Sequence, residues 1–288
     1  MPPQFSASLA SVDGELMLSS AARIPATDEG LLRGDGVFEV VRVYDGRPFA
    51  LEEHLQRLER SASNLRLPVD LEAVRSDAHR LLAHAGSSPD HQLLRIVLTR
   101  GGRRLLLTEP MVEGPDHVRL GSVTYSPTLV LDGVKSLSYA SNMLASRMAR
   151  ERGYDEALLV TPQGCVLEAP TSSFFWVKDD EILTPPLNDH ILASITRRVV
   201  MEESGASERS CTLEEVLEAD EAFITSTTRE VQPVSAIDDR SFKAPGPVSA
   251  RLATAVAAGI QARLDRSAPG GAGPGDSAPG QSPLGTPG

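Results

Sequence analysis

The stretch Gly133–Val160, GVKSLSYASNMLASRMARERGYDEALLV, holds one lysine ahead of a helical pattern and a short apolar run typical of a buried strand. Its other cations are arginines, and the whole chain has only three lysines. A lysine in an apolar environment is costly unless it is paired or loses its proton, and a neutral lysine amine is a nucleophile. Taken by itself, however, Lys135 is explained more simply as a surface lysine at the end of a strand.

The composition indicates a folded chain whose partners are small molecules rather than polyanions. The 288 residues suffice for one large or two ordinary domains, and 41% of them are hydrophobic. The net charge of −11 argues against nucleic acid or an anionic membrane as a partner. No apolar run reaches the roughly 18 residues that span a bilayer. The start of the chain lacks a signal-peptide pattern and the two cysteines form no motif, so we expect a cytoplasmic protein.

The pattern of apolar residues predicts two α+β halves, residues 1–118 and 132–266, joined by a linker over residues 119–131. The first half shows two hairpins with Asp-Gly turns, two helices with apolar faces and one buried strand. These elements are expected at the turns Asp13-Gly14 and Asp45-Gly46, in helices over 51–65 and 71–85, and in a strand from residue 92.

The second half begins with the lysine stretch, whose helix has Leu144, Ala145 and Met148 on one face and ends near Gly153. Further elements follow in order: strands EALLV, CVLE and SFFWV, the helix ILASITRRVVMEESG, and the strand-containing segment EAFITSTTREVQPV. The final residues, 267–288, are rich in Pro, Gly and Ser. Because they have almost no bulky side chains to bury, we expect them to be disordered.

Three hydroxyl-rich loops change the interpretation of the lysine. They are APTSS at 169–173, ASIT at 193–196 and TSTT at 225–228, and each stands at a strand end or a helix start. Backbone N–H groups at a helix N-terminus, together with Ser and Thr hydroxyls, bind phosphate well. One such loop is usually an N-cap. Three of them beside an isolated lysine indicate a phosphorylated cofactor that reacts with an amine, as pyridoxal phosphate does.

Glu168, at the entrance to the first of these loops, fits the same cofactor. A carboxylate against a pyridine nitrogen keeps that nitrogen protonated, which strengthens the ring as an electron sink. A solvated glutamate at a turn is the simpler explanation of Glu168 by itself. No histidine spacing is typical of a metal site, so we expect no metal.

The chain resembles the class IV, or fold type IV, pyridoxal-phosphate enzymes. That group contains branched-chain aminotransferases, D-amino-acid aminotransferases and 4-amino-4-deoxychorismate lyases. The resemblance runs from about Phe5 to Ile237 and rests on five blocks in the same order. They are RGDGVFEVVRVYDGRPFALEEHLQRL, VKSLSYASNMLA, GYDEALLVTPQGCVLEAPTSSFFWV, TPPLNDHILASITR and ADEAFITSTTREVQPV. It implies a two-domain α+β fold like that of the D-amino-acid aminotransferases.

The resemblance also implies roles for matching residues. Lys135 stands where the family's lysine forms the imine with the cofactor, and Glu168 matches the carboxylate on the pyridine nitrogen. Tyr139 resembles a tyrosine near the ring hydroxyl if a shift of one residue is allowed. The remaining matches are contacts to the cofactor, mainly to its phosphate: Arg57, Ser173, Ile195, Thr196, Thr227 and Thr228. Two positions depart from the family pattern, because Ser194 replaces a usual Gly and Ser173 a usual Asn.

The reaction is harder to predict than the cofactor. The D-amino-acid enzymes bind the substrate carboxylate with a Tyr and an Arg-x-His pair, but this chain has Leu31 and no histidine after TRGG. A dicarboxylate such as aminodeoxychorismate needs cations, which Arg33, Arg103 and Arg104 could supply. The sequence therefore favours the lyase, which forms 4-aminobenzoate and pyruvate for folate synthesis.

Other functions stay open from the sequence. The alternative reaction is transamination of branched-chain or D-amino acids, and a third possibility is a cofactor-binding protein without turnover, against which the intact Lys135 and Glu168 argue. The resemblance implies a homodimer with its active sites near the interface.

Overall fold

The computed structural model describes residues 8–87, 92–112 and 114–266, which form two sheets with helices packed against them. The α+β class predicted from the sequence is confirmed. The helices are α1 (Glu29–Arg33), α2 (Leu51–Asn64), α3 (Leu71–Ala85), α4 (Ala140–Glu151), α5 (Ile195–Ser204), α6 (Leu213–Leu217) and α7 (Pro247–Arg266). None of the described helices is long and apolar enough to cross a membrane.

The first half of the chain forms an antiparallel sheet in the order β2-β1-β6-β5-β3-β4. Its strands are β1 (Leu9–Val12), β2 (Glu15–Leu18), β3 (Gly36–Tyr44), β4 (Arg47–Pro48), β5 (Gln92–Thr99) and β6 (Arg104–Pro110). One face packs on α2 and α3, where Val41, Leu94 and Ile96 join the buried helix leucines. Because side chains alternate along a strand, Phe38 and Arg95 lie on the opposite face.

The second half forms a sheet in the order β11-β10-β9-β12-β13-β7-β8, with β14 against β13. Its strands are β7 (Val118–Thr124), β8 (Glu156–Val160), β9 (Ser173–Lys178), β10 (Glu181–Thr184), β11 (Ser207–Glu208), β12 (Glu221–Ser226), β13 (Glu230–Ile237) and β14 (Arg240–Ser241). Helix α4 packs on β7 and β8, while α5 and α7 pack on β12. This arrangement places the starts of α4 and α5 on loops that lead to the site.

Both predicted hairpins and both predicted helices of the first half are present. The turns at Asp13-Gly14 and Asp45-Gly46 have positive φ at all four residues, as the tight connection between antiparallel strands requires. Helices α2 and α3 cover the predicted helical segments to within a residue. The residue types at the turns and the spacing of apolar residues were therefore sufficient to predict the hairpins and the helices α2 and α3 of this half.

Three predictions for the second half are wrong in part. The predicted linker over 119–131 overlaps β7, whose Val118, Leu120 and Val123 are buried between parallel neighbours. The CVLE segment, 165–168, makes isolated bridges rather than a regular strand. Helix α4 buries Ala145, Ser146 and Ala149, so that Leu144 and Met148 are half exposed. The predicted disorder of 267–288 lies outside the described residues.

The two halves meet where β3 begins, and this contact fixes the position of Lys135. Val37 bridges to Ser136, the N–H of Phe38 donates to the carbonyl of Lys135 (3.1 Å), and the N–H of Leu137 donates to the carbonyl of Gly36 (2.8 Å). A Cβ on Gly36 would lie 2.3 Å from the carbonyl oxygen of Leu98, so only glycine fits between these backbones. The lysine segment is thus hydrogen-bonded to the first sheet.

Candidate active site

A cavity of about 470 Å³ lies between the two halves and is lined by residues from both. The first half contributes the face of β3 and β5 that points away from α2 and α3, and the second half contributes loops that include those preceding α4 and α5. Most of the residues predicted for cofactor binding line it: Arg57, Lys135, Tyr139, Glu168, Ser173, Thr227 and Thr228. Residues as far apart in sequence as Phe38 and Thr228 are therefore brought together at one site.

Lys135 projects toward the apolar wall of this cavity. Its Nζ lies 4.5 Å from the centroid of the Phe38 ring and has no hydrogen-bond acceptor in the described part of the chain. Burial, reinforced by the charge of Arg57, lowers the pKa of Lys135 to about 8, although Glu39 and Glu168 oppose this shift. A substantial fraction of the amine is therefore neutral near pH 7 to 8, which is the nucleophilic form.

Glu168 lies on the same cavity and is perturbed in the opposite sense. Burial raises the pKa of its carboxyl to about 7, against the hydrogen bond from the Leu192 N–H (3.1 Å) and the charge of Lys135. A carboxylate in this environment gains from a cationic partner. The site thus holds an acid and a base that both titrate near neutral pH.

Arg57 is held by a buried ion-pair cluster behind the cavity. Its Nε and Nη2 donate to the two oxygens of Glu39, each at 2.7 Å, and its Nη1 donates to the carbonyl of Ala193 at 3.1 Å. His54 Nδ1 lies 2.8 Å from Glu39. Burial opposes the charge of Glu39, but Arg57 and His54 outweigh it and lower its pKa to about 2. Burial lowers the pKa of His54, so His54 is neutral and donates to Glu39.

One end of the cavity offers donors for an anion. Helix α5 begins after Ser194, whose hydroxyl accepts the N–H of Arg197 (3.3 Å). The main-chain N–H groups of Ile195 and Thr196 have no acceptor among the described residues, although their side chains do not line the cavity. Arg57 lies close to these N–H groups, because its Nη1 donates to the carbonyl of Ala193 just before α5, and such donors suit a phosphate group. Thr227 and Thr228 also line the cavity.

Hydroxyl groups line the other side of the cavity. The Tyr139 hydroxyl donates to the carbonyl of Pro170 (2.5 Å), and its ring meets that of Phe38 edge-on, with centroids 5.4 Å apart. Burial raises the pKa of Tyr139, so the phenol is neutral. Ser172 and Ser173 are buried, and their hydroxyls have no partner in the described chain. Unsatisfied buried hydroxyls beside a cavity are expected where a ligand supplies the missing bonds.

The three arginines predicted to bind the substrate carboxylates are not among the described residues that line this cavity, so their role in substrate binding stays a prediction. Arg33 is exposed and pairs with Glu29 of its own helix. Arg103 pairs with Asp13 (2.6 Å), and Arg104 pairs with Asp77 of α3. Asp13 in the turn between β1 and β2 thus pairs with Arg103, and Asp77 in α3 pairs with Arg104.

Arg95 also lines the cavity, although it is not among the residues predicted from the sequence. It lies in β5, on the same face as Phe38 of β3. The sequence contains a signal that could have identified it: Arg95 is a charged residue within the apolar run LLRIVL of a predicted buried strand, which indicates a specific role. Its acidic partner is Glu109 of β6.

Comparison with known proteins assigns the family. The sequence profile of amino-transferase class IV matches residues 36–237. The chain belongs to the class IV aminotransferases. The resemblance inferred from the sequence is thereby confirmed.

Relatives of this class IV aminotransferase cover most of its length. A putative branched-chain-amino-acid aminotransferase of Methanocaldococcus jannaschii is 35% identical over 84% of this chain and 92% of its own. A D-alanine aminotransferase of Bacillus licheniformis is 33% identical over 85% and 94%. Among solved structures, a fold IV transaminase from Curtobacterium pusillum superposes with a TM-score of 0.78, at 29% identity over 87% and 99% of the chains.

The family uses pyridoxal phosphate, and the predicted cofactor is confirmed at this level. A hypothetical aminotransferase from Mycobacterium tuberculosis in its PLP-bound form has a TM-score of 0.79, at 26% identity over 88% and 99% of the chains. The residues of the cavity fit this group. The free N–H groups at α5 and Arg57 suit the phosphate, Glu168 suits a protonated ring nitrogen, and Lys135 suits the aldehyde. The unpartnered hydroxyls of Ser172 and Ser173 complete a polar surface.

Proposed function

We propose that this class IV aminotransferase transfers the amino group of α-amino acids that have an uncharged side chain. The observation that carries the proposal is Lys135, whose unbonded amine with its lowered pKa faces an apolar wall of Phe38, Val40 and Leu93. An aliphatic or aromatic side chain gains by leaving water for such a wall. The names of the relatives, branched-chain and D-alanine aminotransferases, support the same substrate class.

Two residues share the proton chemistry in this proposal. When bound, pyridoxal phosphate supplies an electron sink that stabilises negative charge on the substrate's α-carbon. Lys135 would be the base that takes the α-proton, because its neutral form is well populated near pH 8. Glu168 would stabilise positive charge at the ring nitrogen, while Arg57 and the start of α5 would hold the phosphate.

The charge of the cavity favours the aminotransferase over the lyase. A dicarboxylic substrate such as aminodeoxychorismate needs cations that are free to bind it. Among the described residues, two arginines line the cavity, Arg57 and Arg95, and each is paired through two hydrogen bonds with a carboxylate, Glu39 and Glu109 respectively. The lyase activity favoured by the sequence therefore becomes the second candidate.

The homodimer and the cytoplasmic location remain predictions of this proposal. Support for a second copy comes from apolar side chains beside the cavity: Val130 is 90% exposed and Leu129 is 67% exposed, directly before cavity-lining Leu131. An apolar segment of this kind is typical of an interaction surface.

The activity is tested with the protein loaded with pyridoxal phosphate. L-leucine, D-alanine and aminodeoxychorismate are offered in parallel, the two amino acids with 2-oxoglutarate, and keto acid and 4-aminobenzoate are measured. We expect keto acid from at least one amino acid, and none from a Lys135→Ala variant. Formation of 4-aminobenzoate without transamination would establish the lyase instead.

A further inference from the structure

The turn between β12 and β13 presents hydrogen-bond donors to the cavity. Ser226, Thr227 and Thr228 line the cavity, and the main-chain N–H groups of Thr227 and Thr228 have no acceptor among the described residues. An N–H group without a protein partner beside a cavity is expected where a ligand supplies the acceptor. Successive N–H groups of this kind, with the threonine hydroxyls, suit a phosphate group such as that of pyridoxal phosphate.

Glu230, the first residue of β13, holds this turn against the first half of the chain. One oxygen of its carboxylate accepts hydrogen bonds from Arg42 Nη1 and from the Tyr44 hydroxyl, each at 2.7 Å. The guanidinium carbon of Arg42 lies 4.7 Å from the centroid of the Tyr44 ring. Burial and the charge of Glu230 raise the pKa of Tyr44, so the phenol keeps the proton that it donates. Arg42, Tyr44 and Glu230 thus form one compact group, the Glu230 cluster.

The Glu230 cluster is built on the same face of β3 as the apolar wall of the cavity. Phe38 and Val40 line the cavity, and Arg42 and Tyr44 follow them at alternate positions of the strand. Since side chains at alternate positions point to the same side of a strand, one face of β3 both forms the wall and binds Glu230. The cluster therefore relates the position of the turn to that of Phe38, beside which Lys135 Nζ lies.

The residue before Glu230 holds the turn on its other side. Arg229 donates to Glu156 of β8 at 2.7 Å and to Gln232 of β13 at 2.5 Å, and Glu156 also accepts from the hydroxyl of Ser146 at 2.6 Å. These contacts lie within the second half of the chain. Arg229 thus fixes the turn to its own sheet, whereas Glu230 fixes it to the sheet that faces the cavity from the first half.

The backbone and the burial of Glu230 indicate that its contacts hold it firmly. Its φ is +53°, in a region that residues other than glycine rarely occupy, and such a conformation persists where surrounding contacts impose it. The side chains of Arg42 and Glu230 are 13% and 21% exposed. Water weakens such a pair less than it weakens an exposed one. The pair can therefore keep the turn in one place.

We propose that Glu230 is a positioning residue for the cofactor, which holds the turn of Thr227 and Thr228 at the distance from Lys135 that pyridoxal phosphate spans. Neither Glu230 nor Arg42 lines the cavity, so Glu230 acts on the cofactor through the turn. Loss of its carboxylate should weaken the hold on the phosphate and leave the contact between the aldehyde and Lys135 unchanged. The proposal concerns cofactor binding and is independent of which amino acid is the donor.

The test compares Glu230→Leu with the parent protein in binding two ligands that differ by one group. The full-length proteins, freed of cofactor, are titrated with pyridoxal phosphate and with pyridoxal, which lacks the phosphate, and absorbance gives the dissociation constants. We expect the constant for pyridoxal phosphate to rise about tenfold, the effect of one charge-assisted hydrogen bond, and that for pyridoxal to stay unchanged. Equal weakening of both ligands would mean that Glu230 only supports the fold, which overturns the proposal. Unchanged binding of pyridoxal phosphate overturns it as well.

Two further variants make the result specific. Asp265→Leu is the matched control, because Asp265 also joins the two halves by accepting from an arginine, Arg47 of β4 at 3.0 Å, but lies near the end of α7 and does not line the cavity. Both of its constants should match those of the parent. Arg42→Met should reproduce the effect of Glu230→Leu, and the double variant should bind no more weakly than either single one, because the two residues act as a pair.

Additive losses in the double variant would mean that Arg42 and Glu230 act separately, which refutes the cluster as the cause. None of these measurements requires turnover. If the parent transaminates no donor, the proposed function fails, and the two dissociation constants still decide whether Glu230 positions the cofactor.

Discussion

At the scale of single residues, Lys135 and Glu168 are two groups whose pKa values move toward each other. Burial lowers the pKa of Lys135 to about 8 and raises that of Glu168 to about 7. The sequence could identify both residues, because they stand beside hydroxyl-rich loops in a recognisable order. It could not predict either shift, since each depends chiefly on burial, which only the fold creates.

Lys135→Ala should abolish the covalent link to the cofactor and lower turnover by several orders of magnitude, because the nucleophile and the base are one residue. Borohydride reduction followed by peptide mapping should locate the cofactor on Lys135 in the parent and nowhere in the variant. Lys178→Ala is the matched control, because Lys178 donates to the carbonyl of Glu218 at the surface and lies away from the cavity. A labelled peptide that contains Lys178 or Lys243 would disprove the assignment.

Glu168 should make the stability of the cofactor-free protein depend on pH. Because its folded pKa lies near 7 rather than 4.5, the folded state binds more protons than the unfolded state between these values. The free energy of unfolding should therefore fall as pH rises from 4.5 to 7, by up to roughly 3 kcal/mol. Glu168→Gln should lack this fall and exceed the parent in stability at pH 7.5.

Urea unfolding of parent and Glu168→Gln, both without cofactor, at pH 5 and pH 7.5 measures this difference. The two proteins should be close in stability at pH 5 and separate at pH 7.5. Equal separation at both pH values would show that the Glu168 carboxyl titrates at its ordinary pKa in the fold.

At the scale of elements, the sequence predicted the elements that depend on neighbouring residues and failed for those that depend on contacts between distant segments. The Asp-Gly turns and the helices α2 and α3 follow from conformations that their own residues prefer. Strand β7 falls within the predicted linker because its parallel partners, β8 and β13, lie further along the chain and leave no local signal. The buried face of α4 also depends on tertiary packing. Small residues of the helix rather than Leu144 face β7 and β8, which lets the helix approach these strands closely.

Gly36 is the residue at which the first sheet meets the lysine segment. In Gly36→Ala the new Cβ would meet the carbonyl of Leu98 at 2.3 Å and the side chain of Leu137 at 2.6 Å, so β3 must shift. We expect a loss of roughly 1–3 kcal/mol in the free energy of unfolding, as for other overpacked sites. Cofactor affinity should fall as well, because β3 carries the hydrogen bond to Lys135.

Gly114→Ala is the matched control for this change. The nearest atom to a Cβ at Gly114 is Nε2 of Gln232 at 3.5 Å, an ordinary contact. Chemical denaturation and cofactor titration of the two variants give both quantities. Equal stability of Gly36→Ala and Gly114→Ala would mean that the start of β3 moves freely and does not fix the lysine.

At the scale of the whole molecule, the two halves are joined at the site by the cluster of Glu39, His54 and Arg57. Glu39 lies in β3 and Arg57 in α2, while the carbonyl that Arg57 binds belongs to Ala193, 136 residues further along the chain. The resemblance assigned Arg57 to the cofactor phosphate, but nothing in the sequence indicated Glu39, which reads as one polar residue within an apolar strand. A glutamate within an apolar strand indicates a buried ion pair only when the cationic residue that pairs with it is known.

Glu39→Gln tests whether this cluster stabilises the fold and orients Arg57. The variant leaves the Arg57 charge buried without its counterion, so we expect the free energy of unfolding to fall by roughly 3 kcal/mol. Since the pKa of Glu39 is lowered from 4.5 to about 2, its contribution is complete above pH 4.5 and is lost as pH falls toward 2. The difference between parent and variant should accordingly be constant from pH 5 to 7 and shrink in stronger acid.

Affinity for the cofactor separates the orienting role from stability alone. Glu39 occupies two of the five donor positions of Arg57, and without its charge the guanidinium is free to turn away from the start of α5. Titration with pyridoxal phosphate should show weaker binding by Glu39→Gln under conditions in which the variant is fully folded. Glu59→Gln, an exposed change on the same helix, should match the parent in both measurements. If Glu39→Gln binds pyridoxal phosphate as tightly as the parent, Arg57 reaches its position without Glu39, and the contact with Ala193 alone must orient it.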